Sequence, residues 1–267
     1  MAPGGAGTGA LLFLAVVGAS LASMVPYALG GARRDHDQQG KDAHFVGGWG
    51  DFVLHWFMWV ISPLVRVSIR FGLTPDFYNY AGLALGLASG VLIAVGELEW
   101  AGWAIVAGGV ADILDGRIAR LQGIASDYGD FIDSTFDRFV EAFIFVGFMV
   151  WLRATPYGAL LAGGALAASF LVSYARARGE ILGVNCSGGL MQRGERLLLT
   201  CLACFLDPWI CARRGWPAGT VAEGALALLA ATSLVTAIHR TVWIARRLRE
   251  RAAAGTGAGA GAESRSA

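Results

Sequence analysis

Apolar residues run along this chain in blocks long enough to cross a bilayer, which takes roughly 20 helical residues. The blocks are separated by short polar stretches. The first is Ala10 to Gly30. Later ones run from Phe77 to Gly96, Trp100 to Leu121, Phe131 to Leu152, Tyr157 to Tyr174, Leu190 to Leu206 and Ala222 to Ile244. Each predicts a spanning helix. Between the first block and the rest, Phe52, Trp56, Trp59, Pro63, Val67 and Phe71 recur near helical spacing, with Arg66 and Arg70 close by. That mixture predicts an amphipathic helix lying in the membrane interface. The expected fold is all-α: a polytopic membrane helical bundle of six core transmembrane helices, an N-terminal transmembrane helix and an interfacial helix. The expected organisation is an N-terminal segment over 1–34, a polar loop over 35–50, a membrane domain over 51–251 and a disordered tail over 252–267. Nothing before Leu11 is charged, whereas a signal peptide wants a basic start, so the first block is expected to be retained.

Composition agrees with a lipid-facing surface. The chain has 267 residues, of which 55% are hydrophobic and 15% charged. A soluble domain carries about 25% charged residues. The net charge of +1 gives no electrostatic case for nucleic acid. Arg33, Arg34, Arg117, Arg120, Arg176, Arg178, Arg193, Arg196, Arg246, Arg247, Arg249 and Arg251 fall on one side of the predicted topology. The positive-inside rule makes that side cytoplasmic and the membrane the cell (inner) membrane. Arg213 and Arg214 fall on the other side, against the rule. Trp100, Trp103, Trp151, Trp209 and Trp216 gather near the opposite ends, as an aromatic belt would. Gly82, Gly86 and Gly90 recur every four residues, a spacing that lets helices approach closely, either within the bundle or at a dimer face. Cys201 and Cys204 form a lone C-x-x-C, weak evidence for zinc. His36, His44, His55 and His239 lack metal-ligand spacing.

Candidate chemistry lies in the stretch DILDGRIARLQGIASDYGDFIDSTFD, residues 112–137. Asp112 and Asp115 are three apart near the end of one apolar block; Asp133 and Asp137 are four apart at the start of the next. Those spacings put each pair on one helix face, and the intervening hairpin can bring the two faces together. Four carboxylates at a membrane are costly unless solvated, paired or bound to metal. All-oxygen ligation favours Mg2+ or Mn2+ over zinc. Two pairs suit two ions, which can clamp the attacking and leaving oxygens of a phosphoryl transfer. Gly116 and Gly129 leave room for a nucleotide near the backbone, and Arg120, about one turn past Gly116, can meet a phosphate.

The fixed positions Asp112, Asp115, Gly116, Ala119, Arg120, Gly129, Asp133 and Asp137 resemble the signature of the CDP-alcohol phosphatidyltransferases. The resemblance covers roughly Phe52 to Arg251. It implies six transmembrane helices, a homodimer and a polar cavity open to the cytoplasm. It implies transfer of a phosphatidyl group from a CDP-linked lipid, such as CDP-diacylglycerol, to an acceptor hydroxyl, with CMP leaving. Asp112, Asp115, Asp133 and Asp137 would bind metal, and Asp137 would be the general base. Asp112, Asp115, Gly116, Ala119, Arg120 and Gly129 would form the CDP site. Many members carry P-N-x-x-T before the first core helix; here Pro75 is followed by Asp76, and Asn79 stands in place of Thr. Ser173, Arg176, Arg193 and Arg196 are similar to the acceptor-phosphate residues of members that make phosphatidylinositol phosphate. A phosphorylated polyol, inositol phosphate first, is therefore the expected acceptor. Glycerol phosphate, an amino-alcohol and a non-enzymatic ion carrier are the alternatives.

Overall fold

The structure is a computed structural model, and it describes residues 8–29, 49–186 and 188–263. The expected polar loop over 35–50 lies outside this set as far as residue 48, as do Arg33 and Arg34. The described residues form eight helices: α1 (Thr8–Leu29), α2 (Trp49–Arg70), α3 (Pro75–Ala94), α4 (Leu98–Gln122), α5 (Asp127–Trp151), α6 (Gly158–Ile181), α7 (Arg193–Arg214) and α8 (Thr220–Glu263).

Local chemistry sets the helix ends that matter for the site. Thr74 caps α3, its hydroxyl accepting from Phe77 N–H at 3.3 Å, and Pro75 follows at the first helical position, where its missing N–H costs no helical bond. Gly123 ends α4 at φ 66°, a left-handed cap that a side chain would strain. Three residues on, the Ser126 hydroxyl accepts from Gly129 N–H at 3.2 Å and starts α5. The acidic hairpin is thus a Gly stop followed by a Ser start.

α3 to α8 form a ring. Each packs on two neighbours in the order α3, α4, α7, α8, α6, α5 and back to α3. Ile93, Leu98, Phe145, Phe148, Leu226 and Leu229 belong to one buried apolar cluster that joins these helices. The small residues of α3 serve this packing. A Cβ on Gly90 would strike the carbonyl oxygen of Phe143, one on Gly147 would strike that of Gly90, and one on Gly86 would meet Val140. Gly86 and Gly90 therefore face α5 inside the bundle, which decides between the two roles open to them in the sequence. α1 lies outside the ring, stacking Phe13 on Phe205 at 4.2 Å. α2 covers the back of α4 through Ile61 and Val65 against Leu114 and Ile118.

Leu11–Leu29, Pro75–Ala94, Gly158–Ile181 and Thr220–Ala253 are long and apolar enough to cross a membrane. α4, α5 and α7 match them in length but carry the charged residues of the site, which dilutes their hydropathy. Many large side chains, Leu29, Phe71, Trp100, Leu160 and Leu190 among them, are exposed on the outer surface. The molecule is a multi-pass membrane bundle.

Two boundaries differ from expectation. α7 begins at Arg193 and continues to Arg214. Its charged second half hides it from a hydropathy reading. Arg213 sits at the end of this helix over the Trp209 ring, 4.5 Å from its centroid, so an aromatic partner accommodates the charge there. The tail was expected to be disordered, yet α8 runs through Arg251 and is helical as far as Glu263. Its alanines favour helix even without large apolar residues to pack.

Candidate active site

At the end of the ring that carries the acidic hairpin, a small cavity opens between α3, α4, α5 and α7. Asp112 and Asp115 of α4, Asp133 and Asp137 of α5 and Arg193 of α7 stand in its walls. The two acidic faces do converge. Carboxylate oxygens of Asp112, Asp133 and Asp137 all lie within 4.8 Å of one another. Asp115 is in the same wall, with its carboxylate accepting from the Gly116 N–H, and is not part of that tight group.

Arg193 reaches into the group. One guanidinium nitrogen bonds the Asp112 carboxylate at 2.8 Å, and the other pairs with Asp137. Arg138 adds a longer contact to Asp137 at 3.5 Å. Clustered carboxylates repel unless a cation lies among them, and here a side chain supplies one cation. The donor set is all oxygen, hard and anionic, so the residues present fit Mg2+ or Mn2+.

Gly116, Ala119 and Arg120 follow on α4. Arg120 is exposed and folds back so that a Cβ on Gly116 would lie 3.2 Å from its guanidinium. Gly129 sits on the first turn of α5, half-buried against Ser126. From α3 come Tyr78 and Asn79. Asn79 is buried in the wall and Asp76 is exposed, so of the two positions where the motif departs from the common pattern, Asn79 is a cavity residue and Asp76 is not.

The proposed acceptor residues divide. Arg193 is in the cavity. Ser173 is half-buried near the end of α6, and Arg176, exposed, pairs with Glu180 at 2.8 Å. Arg196 is buried behind Arg193, its Nε and Nη2 bonding Glu141 at 3.0 and 2.5 Å. Sequence reasoning missed Glu141, although it extends the α5 series Asp133, Asp137, Glu141 by one more step of four. It also missed Arg240 of α8. This buried arginine donates to the carbonyls of Gly188 at 3.0 Å and Val172 at 3.3 Å. With Thr236, whose hydroxyl accepts from Met191 N–H at 3.2 Å, it pins the connection that leads into Arg193. No spacing rule marks either residue.

This fold and this acidic cavity define a membrane-embedded group transferase. The family model of the CDP-alcohol phosphatidyltransferases matches residues 73–239, and the chain belongs to that family. It is 32% identical over 189 residues to the phosphatidylinositol phosphate synthase of Mycobacteroides abscessus, covering 69% of this chain and 83% of that relative. It is 35% identical over 205 residues to the synthase of the same name from Streptomyces avermitilis, covering 74% of this chain and 83% of the relative. It is 31% identical over 197 residues to the archaetidylinositol phosphate synthase of Methanothermobacter thermautotrophicus, covering 70% of this chain and 93% of the relative. Among solved structures it is similar to the phosphatidylinositol phosphate synthase of Mycobacterium tuberculosis with CDP-DAG bound. There the TM-score is 0.61 and the identity 26%, over 69% of this chain and 93% of the other. It is also similar to the structure of that synthase with manganese and citrate, at a TM-score of 0.60 and 28% identity, over 68% of this chain and 88% of the other.

Proposed function

We propose that this chain transfers the phosphatidyl group of CDP-diacylglycerol to a hydroxyl of inositol phosphate, releasing CMP. The observation that carries the reading is the convergence of Asp112, Asp133 and Asp137 on one cavity with Arg193 among them. Similarity to bacterial phosphatidylinositol phosphate synthases and an archaeal archaetidylinositol phosphate synthase supports the acceptor.

Asp112, Asp115, Asp133 and Asp137 would hold two Mg2+ or Mn2+ ions. When bound, such ions neutralise diphosphate charge and polarise its oxygens. Asp137 takes the proton of the acceptor hydroxyl. The freed oxygen bonds the phosphorus of the phosphatidyl group, and the bond from that phosphorus to the bridging oxygen breaks, leaving on CMP. Asp112, Asp115, Gly116, Ala119, Arg120 and Gly129 form the CDP subsite. Gly116 and Gly129 keep its floor low, and Arg120 meets phosphate. Arg193, with Ser173 and Arg176, takes the acceptor phosphate, to which a guanidinium fork is well matched; Arg196, expected to share it, is buried and bonded to Glu141 instead. The active-site end faces the cytoplasm of the inner membrane, the side on which the basic helix ends collect. The chain works as a homodimer, with residues 51–251 as the transferase domain.

The test is CMP release by the purified chain with CDP-diacylglycerol and each acceptor in turn. Release with inositol phosphate supports the reading. Release with serine alone refutes it.

A further inference from the structure

We infer that Glu141 is a positioning residue for transfer: with Arg196 it forms a fixed cross-brace between α5 and α7 that keeps Arg193 in register with Asp137. The proposal rests on the reading of Arg193 and Asp137 as parts of the transfer site.

α5 and α7 are not neighbours in the ring, and the cavity lies between them. Two arginine–carboxylate rungs cross the gap. The outer one joins Arg193 to Asp137. The inner one joins Arg196 to Glu141 at 2.5 Å. Arg196 is three residues after Arg193, and Glu141 four after Asp137, so the rungs lie about one helical turn apart on each helix. Their surroundings differ. The Arg193 side chain is 30% exposed and that of Asp137 10%, and both line the open cavity. Arg196 and Glu141 are 4% and 8% exposed, and Arg196 is not in the cavity wall.

The outer rung can therefore open to ligands, because its half-buried arginine and its carboxylate both face the cavity. The inner one is sealed. A sealed ion pair is weak evidence for stability, since apolar residues of similar volume often serve as well. This pair is also incompletely satisfied: the Oε2 of Glu141 is buried without a partner. What it does supply is geometry. Two guanidinium nitrogens on one carboxylate oxygen set the spacing and rotation of α7 against α5. When Asp137 exchanges Arg193 for substrate, the inner rung still holds the helices where they were. Reaction rates are sensitive to such placement, and a shift of about 1 Å can cost roughly a hundredfold.

The experiment compares wild type with E141Q, E141D and the double variant E141L/R196L in nanodiscs. It reads kcat and KM for each substrate by CMP release, and the thermal midpoint. E141Q should raise the inositol phosphate KM and lower kcat, each by about tenfold or less, well within the cost of misplacement. The KM for CDP-diacylglycerol should stay within about twofold, because its subsite does not include Arg193. E141D should recover part of the loss. E141L/R196L should match the wild-type midpoint and still show the acceptor defect. Wild-type acceptor kinetics in the double variant, or an equal rise in both KM values that tracks a fallen midpoint, overturns the brace. Absence of CMP release by wild type with every phosphorylated acceptor refutes the parent reading instead.

Discussion

At the scale of the residue, the same chemical group does different jobs in different surroundings. Asp137 is buried at the cavity wall between Arg193 and Arg138. Asp207 is buried at the opposite end of α7. It accepts from Gly219, Val221 and Ala222 N–H groups, each at 3.0 Å. Those N–H groups open α8, where a carboxylate is favoured by unpaired donors and the helix dipole. The two should respond differently to amide substitution. D137N should lower kcat for CMP release by about a hundredfold to ten-thousandfold, the usual contribution of a general base, with CDP-diacylglycerol binding largely kept. D207N replaces an acceptor oxygen with a donor, strands buried N–H groups and should cost about 1–3 kcal/mol of stability. Thermal unfolding in detergent would register it, and the substrate KM values of the folded fraction should not change. Asp207 had no signature in the sequence, because its partners are backbone amides of the next helix. The four aspartates of the hairpin were legible because helical spacing alone puts each pair on one face. Where Asp115 turns its carboxylate, toward Gly116, was not legible, since side-chain torsions leave no trace in spacing.

At the scale of the element, apolar block length located every core helix, and charge hid their ends. α7 extends to Arg214 and α8 to Glu263, well past the apolar stretches, because backbone hydrogen bonding continues where hydropathy stops. The glycines of α3 could be seen but not assigned to a face. Their contacts with α5 now give a prediction: G90V and G147V should both sharply reduce the yield of folded protein. Overpacking usually costs about 1–3 kcal/mol, and here the obstacle is backbone carbonyl, which cannot swing aside. G18V on α1, where a Cβ meets nothing within 4 Å, should be tolerated. Expression followed by size-exclusion chromatography distinguishes them. Ring closure was beyond the sequence altogether, since which helix packs on which depends on contacts between distant segments.

At the scale of the whole molecule, six helices share an apolar core, and four of them line a charged cavity at one end. Ile105, Val140, Ile144 and Leu197 give the cavity an apolar wall beside the aspartates. The lipid chains of the donor can remain in the bilayer while its diphosphate enters the acidic end. Chelation should abolish turnover without unfolding the ring, because the apolar core holds it independently of any ion. Circular dichroism before and after EDTA tests that separation.

The account turns on three carboxylates and one arginine acting together on a phosphorylated acceptor. The most direct measurement is CMP release by purified chain in CDP-diacylglycerol bilayers, scored with inositol phosphate, glycerol phosphate and serine, with Mn2+ and with EDTA. The expected result is release that requires inositol phosphate and metal together. Release that survives EDTA, or that occurs with serine but not with inositol phosphate, would contradict it.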